Sequence, residues 1–207
     1  MNAPTTISLV RHGHIENPDR VFHGRLPGFP LSERGKKEAA AAAALLQDEP
    51  VVAIYTSPML RARQTAAILQ AAFKPQPPIA EEPLLNEIYS PYDGRPWTEL
   101  EARDWDFYTG TAPKYEQPET ILARVLAFLQ RERQRHRGEH VVGVTHADPL
   151  AFLWLWLFEK PLTADNRKWL GKFGLPDDYP ATASVTTLTF ATADPEEKPH
   201  YRYLHPT

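Results

Sequence analysis

Three apolar runs in this chain each stop abruptly on a titratable side chain and then give way to a helical pattern. No other feature constrains the fold as strongly. Ile7-Ser8-Leu9-Val10 ends on Arg11-His12-Gly13. The β-branched run Val51 to Thr56 is followed by Ser57-Pro58-Met59-Leu60-Arg61. There Ser57 reads as an N-cap and Pro58 as the first residue of a helix continuing through Leu69. His140 to Thr145 ends on His146, and the apolar stretch Pro149 to Phe158 behind it reads as a buried helix. Strand followed by helix, repeated, predicts an α/β chain with a mostly parallel sheet and helices on both faces, a three-layer sandwich. Open α/β sheets bind ligands at the carboxyl ends of their strands. Arg11, His12, Arg61 and His146 then face one crevice. Two arginine forks and two imidazoles there suit a phosphoryl group, because the planar guanidinium pairs with phosphate oxygens in a bidentate way.

The intervening segments complete the pattern. Ser32 caps a helix through the alanine run Ala39 to Ala44 and Leu45-Leu46, which ends at Asp48-Glu49-Pro50. Lys74 to Pro83 is a proline-rich connection with a short extended piece at Ile79. Ser90 to Pro96 and Tyr108 to Pro118 read as loops, with a helix between them over Trp97 to Phe107. Glu119 to Arg137 carries apolar residues at helical spacing. Asp165 to Asp178 gives no clear pattern. Ser184 to Ala191 and His200 to Leu204 read as strands joined by the turn Asp194-Pro195-Glu196-Glu197. The expected organisation is one domain over residues 1–207, with a cap-like insertion at about 74–118.

Composition narrows the function classes. A net charge of −3 on 207 residues gives no reason to expect nucleic acid or an anionic membrane as partner, so any cationic site is local and suits a small anionic ligand. The chain has no cysteine, which removes disulfides, thiolate catalysis and cysteine-based zinc sites. The start of the chain lacks a basic segment followed by an apolar core, so no signal peptide is visible, and a cytoplasmic location is the expectation. No apolar run reaches membrane-spanning length. The oligomeric state stays open.

With these residues in view, the chain resembles the histidine phosphatase superfamily, the phosphoglycerate mutase-like fold. The matching segments are Leu9 to Gly13, Phe22 to Arg25, Pro30 to Gly35, Thr56 to Ala66, Leu85-Asn86-Glu87 and Val144-Thr145-His146, in the family's order. The resemblance implies that His12 is the nucleophile, phosphorylated during turnover. It implies that Arg11, Arg61 and His146 hold the phosphoryl oxygens and that Glu87 protonates the leaving group. Asn17, Ser57, His23 and Gly24 match positions near the phosphate. It also implies a metal-independent phosphomonoesterase acting on a small phosphorylated metabolite, with no cofactor and a loop-rich cap over the site. A phosphoglycerate mutase-type phosphoryl transferase is the alternative.

The residue types suit that chemistry. A neutral imidazole is a competent nucleophile near neutral pH. Attack on phosphorus divides one hard hydrolysis into two displacements. Placed cations stabilise charge on the transferring oxygens.

The chain departs from the family's usual pattern at His14, at the spacing of Asn17, at Pro118-Glu119-Thr120 and at Ala147-Asp148-Pro149. These positions bear on the leaving group rather than on the phosphate. A metal hydrolase using His12, His14, His146 and Asp148 is disfavoured by the absence of His-Glu-x-x-His spacing. Gly28 to Lys36 lacks phosphate-loop spacing and contains Pro30. A non-catalytic phospholigand-binding protein is disfavoured by the presence of all four of His12, Arg61, Glu87 and His146.

Overall fold

The computed structural model describes residues 3–194 and 196–206, and among these residues six strands and five α-helices form, alternating singly only as far as β3. The strands are β1 (Thr5–Arg11), β2 (Val51–Thr56), β3 (Ile79–Glu81), β4 (His140–Thr145), β5 (Val185–Phe190) and β6 (His200–Leu204). The helices are α1 (Glu33–Leu46), α2 (Leu60–Ala72), α3 (Trp97–Glu101), α4 (Pro118–Arg135) and α5 (Ala147–Leu157). The sheet order is β3-β2-β4-β1-β5-β6; β1 to β4 run parallel, β5 runs antiparallel to β1, and β6 runs antiparallel to β5. This is the expected three-layer arrangement. Among the described residues, no helix is long and apolar enough to cross a membrane.

Side-chain alternation explains the layers. Along β1, Ile7 and Leu9 join one apolar cluster while Val10 joins the other. The first cluster is closed by α4 and α5 through Val125, Phe128, Leu150 and Leu153. The second is closed by α1 and α2 through Ala42, Leu46, Ala66 and Leu69. Every residue of β4 is buried, as expected of the inner strand of a sheet covered on both faces.

Several boundaries differ from the sequence expectation. Helix α2 begins at Leu60 with Met59 as its cap, and the Ser57 hydroxyl accepts both from Met59 N (3.3 Å) and from His146 Nε2 (2.7 Å). The helix expected over Trp97–Phe107 stops at Glu101, where the chain turns through left-handed backbone at Asp104 (φ 51°) and Trp105 (φ 56°). Helix α4 starts at Pro118, with Gln117 and Thr120 forming a reciprocal cap. Asp165 to Asp178, patternless in sequence, holds two short 3₁₀ turns, Asn166–Lys168 and Leu170–Phe173. Ser32 caps α1 as expected, accepting from Gly35 N at 3.0 Å, a contact worth about 1 kcal/mol. In the turn expected between the last two strands, Pro195 lies outside the described residues.

The strand order creates the site. Strand β4 lies between β1 and β2, so three carboxyl ends distant in sequence stand side by side. His12 N donates to Thr145 O (3.0 Å) and Ser57 N donates to Val144 O (2.9 Å), which locks the three ends in register. Gly13 follows with no room for a side chain: a Cβ there would lie 2.4 Å from Gly35 O at the start of α1.

Candidate active site

His12, Arg61, Glu87 and His146 meet at these strand ends, all of them buried. Arg61 sits in the first turn of α2, and its guanidinium joins the group together. Its Nε donates to His12 Nε2 (3.2 Å), and its Nη2 donates to Gly24 O (2.8 Å) and His146 Nδ1 (3.1 Å). Its Nη2 also lies 3.9 Å from Glu87 Oε2. Burial lowers the Arg61 pKa to about 10, opposed by the Glu87 carboxylate, so the guanidinium stays charged at neutral pH.

The hydrogen bonds settle both tautomers. A carbonyl only accepts, so His12 Nδ1–H donates to Gly13 O (2.8 Å) and leaves Nε2 with its lone pair. An arginine only donates, so His146 Nδ1 is the acceptor, and His146 Nε2–H donates to Ser57 Oγ (2.7 Å). Ser57 Oγ–H then donates to Asn86 Oδ1 (3.3 Å). Burial, and after it the Arg61 charge, holds both imidazoles well below the usual histidine range. Both are therefore neutral at physiological pH. His23 is pushed down to about 2 by burial and by the Arg61 and Arg11 charges.

Glu87 follows the 3₁₀ turn Pro83–Leu85, which Thr145 Oγ1 ties to β4 by donating to Leu85 O (2.8 Å). Its Oε1 accepts from Ile88 N (2.9 Å), and its Oε2 lies 3.5 Å from His146 Nδ1. Burial raises its pKa to about 7, against the pull of Arg61 and with the help of the Asp148 charge. A carboxyl that titrates near neutrality can give and take a proton at working pH.

The remaining expected residues divide into two sets. Arg11 faces the same cavity; its Nη1 donates to Pro180 O (2.5 Å), while its buried Nε has no partner. His23 lines the cavity too, with a buried Nδ1 lacking a partner. Gly24 contributes its carbonyl to Arg61, and with φ +37° a Cβ there would lie 1.8 Å from Asp93 Oδ1. Ser57 reaches the site only through His146. The Asn17 amide clasps Val21, donating to Val21 O (2.8 Å) and accepting from Val21 N (3.2 Å), on the edge of a second lobe that Arg11 and His12 also line. That lobe, of about 370 Å³, is lined by His14, Glu16 and Trp97 as well. Arg25 lies behind the site, where its Nε donates to Glu87 O (2.7 Å).

The main cavity, about 460 Å³, is lined by groups that sequence reasoning passed over. Arg167, Lys168, Trp169 and Tyr179 come from the stretch after α5. Buried Asp148 in the first turn of α5 organises them, accepting from Tyr108 Oη, Tyr179 Oη and Arg167 Nη1 (2.9 Å). The basic-aromatic run Arg167-Lys168-Trp169 was the one available signal in the sequence.

His12, Glu87 and His146 place ligand-type atoms within 4.8 Å of one another, so a metal ion deserves a test. The fit is poor. His12 Nε2 and His146 Nδ1, the nitrogens that would face an ion, already accept from Arg61, whose charge would repel it.

A family model for the histidine phosphatase superfamily (branch 1) matches residues 7–195. The chain belongs to the histidine phosphatase superfamily. Mycobacterium tuberculosis Rv0525, itself an uncharacterized protein, is 35% identical over 197 residues, which is 92% of each chain. Phosphoserine phosphatase 1 of Hydrogenobacter thermophilus is 34% identical over 157 residues, 69% of this chain and 71% of that protein. Among solved structures, Bacillus stearothermophilus YhfR superposes with a TM-score of 0.73 at 28% identity, covering 89% of this chain and 90% of its own. The superfamily assignment, with a named phosphatase among these relatives, supports an enzyme of the phosphatase type.

Proposed function

We propose that the protein is a metal-independent phosphomonoesterase that hydrolyses a small phosphorylated metabolite through a phosphohistidine on His12. One observation carries this reading: a neutral His12 whose Nε2 lone pair accepts from the Arg61 cation, and which lines one cavity with a carboxyl titrating near neutrality.

The first step forms a bond from His12 Nε2 to phosphorus and breaks the bond from phosphorus to the ester oxygen. The departing oxygen takes the proton of Glu87. The His12 ring becomes cationic, and its Nδ1–H remains held by Gly13 O, which stabilises that charge. Arg61 Nε passes from His12 Nε2 to a phosphoryl oxygen, and the unpartnered Arg11 Nε serves a second. His146 holds an oxygen once it gains a proton on Nδ1, which an arriving dianion favours. In the second step the Glu87 carboxylate takes a proton from water. The water oxygen attacks phosphorus, the P–N bond breaks, and neutral His12 and inorganic phosphate result.

The test is phosphate release from phosphomonoesters in EDTA, together with alkaline quenching, which preserves the acid-labile P–N bond, and mass spectrometry of tryptic peptides. The expected result is chelator-insensitive turnover and an adduct on the His12 peptide. Loss of turnover in EDTA, or an adduct elsewhere, overturns the assignment.

Glu87 supplies a second test. Its raised pKa keeps the acid form up to about pH 7 and loses it as pH rises further. Hydrolysis of alkyl esters is therefore expected to fall above about pH 7. Glu87→Gln is expected to cost alkyl esters roughly 10²- to 10⁴-fold and to remove that alkaline limb. Aryl esters, whose leaving groups need less protonation, are expected to lose much less; equal losses on both would count against Glu87 as the acid.

The alternative, a mutase, needs a second anion held beside the phosphoryl group. Both cations lining the main lobe beyond the phosphate position, Arg167 and Lys168, are ion-paired with carboxylates.

A further inference from the structure

The two lobes that open from His12 differ in one decisive respect. Both are lined by Arg11, His12 and His23, but only the 460 Å³ lobe is lined by Glu87. If Glu87 protonates the leaving group, as proposed above, the alcohol portion of the substrate occupies that lobe. Its walls are aromatic. Phe22 and Phe107 stack with ring centroids 4.4 Å apart, and Trp105 stands edge-on to Phe107 at 6.4 Å. Trp169 and Tyr179 line it as well.

The charges of this lobe are already matched. Arg167 Nη1 lies 2.9 Å from Asp148 Oδ1, both buried. The Lys168 ammonium pairs with Asp104 and lies 3.5 Å from Asp165 Oδ1. Each of these two cations therefore already has a carboxylate partner, and a carboxylate or second phosphate on the substrate would have to displace one to be paired. Backbone strain points the same way. Asp104 and Trp105 both hold left-handed φ, a disfavoured state for these residue types. The surroundings hold them there: Trp105 N donates to Leu100 O (2.8 Å) and Arg167 Nη2 donates to Trp105 O. Asp148, through Arg167, is thus a positioning residue for the Trp105 wall.

We propose that the preferred substrate is the phosphate monoester of an uncharged alcohol with a flat apolar face, an aryl or arylalkyl alcohol, seated against the wall that Trp105, Phe107 and Phe22 form. The inference rests on the phosphatase reading, and its test separates the two. Benzyl phosphate and O-phosphoserine, both primary alkyl esters, are compared as substrates by kcat/KM. Benzylphosphonate and 2-carboxyethylphosphonate, which cannot be hydrolysed, are compared as ligands by calorimetry.

The aromatic member of each pair is expected to win by about tenfold or more, the value of burying a ring against such walls. Trp105→Ala is expected to collapse both ratios toward one, while Trp105→Phe, which keeps a ring, retains most of each. Equal or better performance by the carboxylate compounds overturns the inference, as does a Trp105→Ala loss that falls equally on both phosphonates. Aromatic preference in binding without hydrolysis of any ester upholds the lobe assignment and removes the phosphatase reading. Hydrolysis of every ester without preference does the reverse.

Discussion

His12→Ala is expected to lower kcat for phosphomonoesters by roughly 10⁴-fold or more, because it removes the atom that forms the covalent intermediate. Phosphate binding should survive, since Arg11 and Arg61 remain to hold the oxygens. The signature is thus a loss in kcat with inorganic phosphate still inhibiting competitively. Burial and the neighbouring guanidinium keep His12 neutral, so its nucleophilic form is not limiting at any pH near neutrality. The cost in stability is modest by comparison. The mutation removes the hydrogen bond to Gly13 O and leaves a small cavity, together about 1–3 kcal/mol. A folded variant with near wild-type turnover would sink the nucleophile assignment, and a shared loss of phosphate binding would point to a collapsed site.

Arg61→Lys is expected to cost roughly 10²- to 10³-fold in kcat/KM despite the conserved charge. Arg61 serves three acceptors at once, at 3.2 Å (His12 Nε2), 3.1 Å (His146 Nδ1) and 2.8 Å (Gly24 O). The fixed fork of a guanidinium reaches all of them, and an ammonium on a flexible stem does not. Protonation deepens the loss. Burial draws even arginine down to about 10 here. A lysine in its place starts lower and has its charged form disfavoured by the same burial. Sign then follows: a depressed pKa means charge is present at low pH and lost as pH rises. Residual activity of Arg61→Lys should therefore increase relative to wild type as pH is lowered. A pH–rate comparison of the two enzymes measures this, and a ratio that does not change with pH would show that geometry alone is responsible.

Much of the fold was legible because the local signals agreed with the tertiary arrangement. The buried runs ending on Arg11, Thr56 and Thr145 are the three strands whose carboxyl ends build the site. Ser32 caps its helix as its position in the sequence indicates. Differences arose where a distant partner acts. The Ser57 hydroxyl accepts from Met59 N at the helix start and also serves His146, 89 residues away. The helix from Trp97 ends at Glu101, and beyond it Arg167, from a distant segment, grips the Trp105 carbonyl.

The sequence by itself determined the strand-helix alternation, the residue types at the strand ends and the chemistry they can perform, since periodicity and residue type are local properties. Only the tertiary structure decided which nitrogen of each histidine carries its proton, why Glu87 titrates near neutrality and what walls the leaving-group lobe. Those depend on burial and on partners far along the chain. Strand β4 lies between β1 and β2, Arg61 is enclosed with Glu87, and Asp148 draws Arg167 and Tyr179 over the cavity. Hydrogen-bond direction and desolvation act through space, and no spacing in one sequence encodes them.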